Sequence, residues 1–179
     1  LPSAYLDFSS VTDFTTMFEG IETLTVAQNI DAESGVKFNN MFKDCTSLSV
    51  VSISNMTNGA DFTGMFQNCG ELAVLSFFDN SFENAFILSY FFDVEMTKLF
   101  SLTPFNNLKR NWRNYGLDKC PNLNYDSCIG ILNGLYDWVG NNETPDTGYY
   151  GKLKVHPNFL TTVGDEINIA LNKGWTITT

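Results

Sequence analysis

Asp146-Thr147-Gly148 spells the triplet used by aspartic proteases, and it is the most explicit catalytic pattern in the chain. That chemistry needs two carboxylates sharing a proton, and no second Asp-Thr-Gly or Asp-Ser-Gly occurs. With Pro145 ahead of it, the triplet reads as a turn. His156 is the single histidine, which rules out a two-histidine metal site, and its Lys-Val-His-Pro setting suggests a strand-to-helix junction. A thiolate nucleophile could form from Cys120 or Cys128 with His156, yet no activating motif flanks either cysteine. Phosphate-cradling patterns of the G-x-G-x-x-G or G-x-x-x-x-G-K-[ST] type are absent. The expectation is therefore a non-enzymatic chain with no catalytic, cofactor-binding or metal-ligating residues.

Binding chemistry has better candidates. Lys109-Arg110-Asn111-Trp112-Arg113, with Tyr115 close by, is the most basic stretch. Cation beside aromatic suits a carboxylated glycan or an acidic peptide, although a solvated helix face is the plainer reading. Phe78 follows Phe77, so strand alternation that turns Phe77 inward turns Phe78 outward. Exposed aromatics mark binding surfaces. Ser52 and Ser76 share that outward register and complete the list of partner-binding residues.

What must position these residues is a repeat. Phe14-x-x-Met17-Phe18, Phe38-x-x-Met41-Phe42 and Phe62-x-x-Met65-Phe66 recur every 24 residues. A fixed period in this range implies a solenoid, whose units bury their apolar faces only by stacking on neighbours. Leu48-x-x-Val51-x-Ile53 and Leu72-x-x-Leu75-x-Phe77 carry leucine-rich-repeat spacing, ending in short strands with Ser52 or Ser76 outward. The Met-Phe-x-x-Cys portion spaces apolar residues by three, which predicts a helical or 3₁₀ return turn. In the first unit Asn29 falls where Ile53 stands, so its strand is expected to shift register or lie at an edge. Cys45 and Cys69 occupy one repeat slot, filled by Ile21 in the first unit, and Cys120 aligns with it. Parallel Cβ vectors suit a disulfide poorly, so buried thiols are expected there.

Leu6-Asp7-Phe8 reads as a strand leading into Phe14. From 86 to 126 the repeat decays: Phe86 keeps the period, Tyr90 takes the place of Phe66, and Met96 and Leu99 match Leu72 and Leu75. Cys69 to Cys120 spans two periods plus an insertion of three. Further on, Ser127 could N-cap a helix through Asp137. Lys152–Val155 alternates as a strand, Pro157 suits the first position of a helix reaching Leu171, and Trp175–Ile177 reads as a last strand. The fold class is thus α/β: a leucine-rich-repeat solenoid over 1–126 (regular 14–85, irregular 86–126), closed by a small α/β capping segment over 127–179.

A net charge of −10 argues against nucleic acid and anionic membrane surfaces. No apolar run reaches the roughly 20 residues of a membrane span. The start, Leu1-Pro2-Ser3, does not look like a signal peptide, so any leader or anchor is expected outside this stretch.

Met-Phe-x-x-Cys-x-x-Leu-x-x-Val/Leu-x-Ile/Phe at this period resembles the BspA-like leucine-rich-repeat family of bacterial surface proteins, over residues 6–126. Ile131-Leu132-Asn133-Gly134-Leu135, Gly151–Pro157 and Asn172–Ile177 are similar to the C-terminal module closing such arrays in proteins of gut bacteria and their prophages. The resemblance implies a cell-surface or secreted adhesion module binding a protein or glycan of a host or neighbouring cell. The alternative is a structural or receptor-binding component of a phage tail or baseplate.

Overall fold

The structure, a computed structural model, describes residues 7–85, 89–109, 116–145 and 151–179. It is an α/β chain built on a parallel sheet of β1 (Val26–Asp31), β2 (Val50–Ser54), β3 (Val74–Phe78) and β4 (Ser101–Leu102), in that order. The 24-residue period becomes register directly: Val50 pairs with Val74, Ser52 with Ser76 and Ser54 with Phe78. Val51, Ile53, Leu75 and Phe77 point the other way into the core. Between β1 and β2 the register shifts between Ala27 and Ile30. Asn29, at φ +58°, is the extra residue that lets Ile30 rather than Asn29 face the core opposite Ile53.

The return segment differs from the helical or 3₁₀ expectation. Met17, Met41 and Met65 donate backbone N–H bonds to Phe14, Phe38 and Phe62, and Ile21, Cys45 and Cys69 donate to Phe18, Phe42 and Phe66. Each is an i+3 bond with a positive φ at the third residue: Thr16, Asn40 and Gly64 in the first turn, Gly20, Asp44 and Asn68 in the second. These are tandem type II turns. The three-residue spacing is the same as a helical one, but the left-handed residues preclude a helix. They also free other N–H groups to reach the next unit, as in Phe14 to Lys37, Phe18 to Met41, Phe38 to Asp61 and Phe42 to Met65.

Two phenylalanine ladders fill the space between sheet and turns. Phe14, Phe38 and Phe62 stack at 5.1 Å per step, within 10° and then 2° of parallel. Phe18, Phe42 and Phe66 follow at 5.2 and 5.5 Å. The spacing follows from strands about 4.8 Å apart, and each such pair adds about 0.5–1.5 kcal/mol beyond burial. Phe8 lies outside any strand, against Phe14 and Phe18 at 6.1 and 6.3 Å.

Beyond Phe78 the register changes by more than the sequence suggests. Val74 and Leu75 pair with Ser101 and Leu102, a step of 27. Leu99 therefore stands in the place of Leu72 and Met96 in that of Cys69, three residues off the expected match. Cys120 follows one regular step after Met96, whose N–H donates to Lys119. Tyr90 does not replace Phe66. It is exposed at φ +55°, matching Gly64, while Phe91 and Phe92 pack on the Phe66 ring at 5.2 and 6.2 Å. Phe86, assigned above to the period, lies outside the described residues; Phe82 packs on Phe62 instead, at 5.2 Å.

Helix α1 (Tyr125–Gly134) is capped by Asn124, whose side chain accepts from Ser127 N–H. Ser127 is thus not the cap, and the helix stops short of Asp137. Its Oγ instead accepts the Leu102 N–H, a donor that another parallel strand would otherwise have satisfied. Strands β5 (Lys152–Lys154) and β6 (Thr176–Thr178) pair in parallel. They are joined through α2 (Pro157–Val163), a 3₁₀ turn and α3 (Asn168–Asn172). Leu153, Phe159, Val163, Ala170 and Trp175 join the same buried cluster as the phenylalanine ladders. No helix among the described residues is long and apolar enough to cross a membrane.

Candidate functional site

The residues expected to contact a partner separate into two places. On the outer side of the sheet, Ser52 and Ser76 sit side by side, half-buried, with Val50 and Val74 below and Ser54 beside Phe78 above. Phe78 is 52% exposed, as the alternation argument requires, and exposed Phe100 precedes β4. Val26 and Gln28 of β1 extend the same side. The result is a small-residue strip with phenylalanine at its far margin.

Lys109 lies elsewhere and is engaged within the molecule. Its Nζ is 2.9 Å from Glu83 Oε1 and 4.0 Å from the centroid of the Tyr136 ring. The bond to Glu83 holds its pKa above the usual lysine value. The other members of the cluster, Arg110, Trp112, Arg113 and Tyr115, lie outside the described residues, as does the Asp146-Thr147-Gly148 triplet.

The cysteines carry no reactive signature. All four are free and buried. Cys45 and Cys69 S–H groups donate to the Phe18 and Phe42 carbonyls, each at 3.0 Å. Burial pushes all four thiols up, Cys128 to about 11. A thiol held protonated is a poor nucleophile. The linkage sign follows: the protonated form is favoured in the folded state, so this stability is present below the unfolded thiol pKa of about 8.5 and is lost as pH rises through the folded values. Four thiols are expected to resist a disulfide-exchange reagent at neutral pH and to react together on denaturation. Unfolding midpoints should fall above about pH 9. Fast labelling of any cysteine in the native protein would contradict the burial.

His156 caps α2, its Nδ1 accepting from Asn158 N–H at 3.2 Å. Among the described residues, no group of three or more His, Cys, Asp or Glu side chains is placed to hold a metal ion.

Sequence reasoning missed a cleft of about 680 Å³ beyond the C-terminal ends of β3 and β4. Asn80 comes from the segment after β3, Asn106 and Asn107 from that after β4, and Asn133 through Asp137 from the end of α1. Asn141 and Lys173 complete the wall. Each asparagine alone looks like turn chemistry, and only the stacking of turns from distant units gathers them. Lys173 lies along the C-terminal end of α1, its ammonium donating to the carbonyls of Leu132, Asn133 and Leu135. Burial lowers its pKa.

No family model, no curated protein and no solved structure matches this chain.

Proposed function

We propose that the chain is a non-enzymatic binding module whose 24-residue units form a leucine-rich-repeat-type solenoid over 1–126, closed by the segment 127–179. It presents the strand face to a protein or glycan partner at a cell surface or in the extracellular space. One observation carries this reading: β2 and β3 stay in unbroken register over five residues, lining up serines and valines beside an exposed phenylalanine. Repeat-built faces of this kind serve extended contacts, and an exposed aromatic beside a strip of small residues has the character of an interface anchor. The inter-unit backbone bonds on the turn side support the solenoid part, because they repeat with the same period as the strands.

Phe78→Ser places in the third unit the residue that Ser54 supplies in the second. Binding to immobilised matrix proteins and glycans is expected to be saturable for the parent and weakened at least about tenfold in this variant. Its melting temperature should stay within a degree or two, since an exposed side chain is changed. Absence of saturable binding across both panels would overturn the reading.

A further inference from the structure

The cleft gathers neutral side-chain amides that are anchored by one hydrogen bond each. Asn80 Nδ2 donates to the Phe77 carbonyl at 2.8 Å, Asn107 Nδ2 to Ser81 Oγ at 3.3 Å and Asn141 Nδ2 to the Asp137 carbonyl at 2.7 Å. Asn106 Nδ2 reaches the Asn80 carbonyl at 3.5 Å. Each bond fixes an amide and uses one of its two N–H donors, leaving the oxygen and a second N–H over. Asn80 Oδ1 is buried with no partner in the molecule. The Lys173 ammonium has three donors and makes three bonds to backbone carbonyls, so it has none left for a ligand.

The wall therefore offers neutral amide donors and acceptors together but no free charged donor. An anionic ligand would meet amide oxygens and the Asp137 carboxylate, with no free cationic donor among the lining residues. A bare cation would meet the positive charge of Lys173. Uncharged ligands carrying several hydroxyl groups satisfy both limits, because each hydroxyl donates to one oxygen and needs no charge in return. The volume lies within the range of pockets that hold small molecules.

We propose that this cleft is a binding site for a neutral saccharide, whose hydroxyl groups are held by the side-chain amides of Asn106, Asn107, Asn133 and Asn141 and by Asp137. The site shares no residue with the strand face, so it stands or falls separately from the docking surface described above.

The test uses the whole chain and soluble probes: methyl glycosides of glucose, galactose, mannose and N-acetylglucosamine, with cellobiose, lactose and chitobiose. Saturation-transfer NMR and calorimetry are expected to show saturable binding of at least one. Asn106→Ala combined with Asn133→Ala alters two exposed positions outside the left-handed region and should weaken that binding at least tenfold, with a melting curve changed little. Asn133→Tyr, which fills the cleft from its rim, should do the same. Phe78→Ser should leave it intact. No binding by any probe, or binding indifferent to both cleft variants, overturns the proposal. Calcium chloride alone occupying the cleft, with loss of binding in the same variants, would assign it to a cation instead and overturn it equally.

Discussion

Phe42→Asp is expected to abolish cooperative unfolding. The Phe42 ring is fully buried between Phe18 and Phe66, 5.2 Å from one and 5.5 Å from the other. Removing such a ring costs about 3–5 kcal/mol through lost transfer energy and the cavity left behind. Placing an unpaired carboxylate in the gap adds several kcal/mol more, or forces the group to stay protonated. Total stability of a chain this size is on the order of 5–15 kcal/mol, so little or no folded population should remain. Circular dichroism during thermal and urea denaturation reads the result. Phe78→Asp serves as the contrast, because the same chemical change at a half-exposed position of the sheet should move the midpoint only slightly. A parental melting curve for Phe42→Asp would show that the ring is not in the core.

The second large effect is expected from a single methyl group. Gly59 has φ −62° and ψ 126°, an extended conformation open to any residue, so its need for glycine is spatial rather than conformational. A Cβ there would land far inside van der Waals contact distance of Phe62 Cζ and 3.1 Å from Phe38 Cε2. Those two rings are stacked 5.1 Å apart and 2° from parallel, so neither can yield without disturbing the ladder. Gly35 stands in the same relation to Phe38 and Phe14. Gly59→Ala should therefore cost about 1–3 kcal/mol by overpacking. The diagnostic is the double variant Gly59→Ala with Phe62→Leu, in which the shorter side chain leaves room for the methyl. Its destabilisation should be smaller than the sum of the two single changes, a coupling that a double-mutant cycle in urea measures directly. Strict additivity would mean that glycine is needed there for another reason.

The β2–β3 register, the inward set Val51, Ile53, Leu75 and Phe77, and the outward turn of Phe78 were all legible from alternation and period. So was the slot shared by Cys45, Cys69 and Cys120, since an insertion of three residues brings Cys120 back into line. The return turns were misread because tandem type II turns and a helix both space apolar residues by three. The discriminating signal was present in the chain: Asn40 and Gly64 in one turn, Gly20, Asp44 and Asn68 in the other, are residues that tolerate positive φ. Only Thr16 gives no such cue. The displaced matches at Met96 and Leu99 follow from assigning the three inserted residues after these positions rather than before them. The Asn-lined cleft was illegible for a different reason. Its residues are spread over almost a hundred positions and become neighbours only when the turns after β3 and β4 meet the end of α1.

The bulge in β1 bears on how this molecule meets copies of itself. As the first strand in the sheet order, β1 has no strand partner on one side among the described residues, and Val26 is 48% exposed beside it. An open parallel edge with apolar residues is a template on which another extended chain could add, the first step toward fibrous aggregation. Asn29 interrupts that template. Its left-handed conformation inserts one residue into the two-residue alternation, so an incoming strand cannot keep its hydrogen bonds and its side-chain faces in step across the whole edge. The irregularity that lets Ile30 reach the core also makes the exposed margin of the sheet a poor seed.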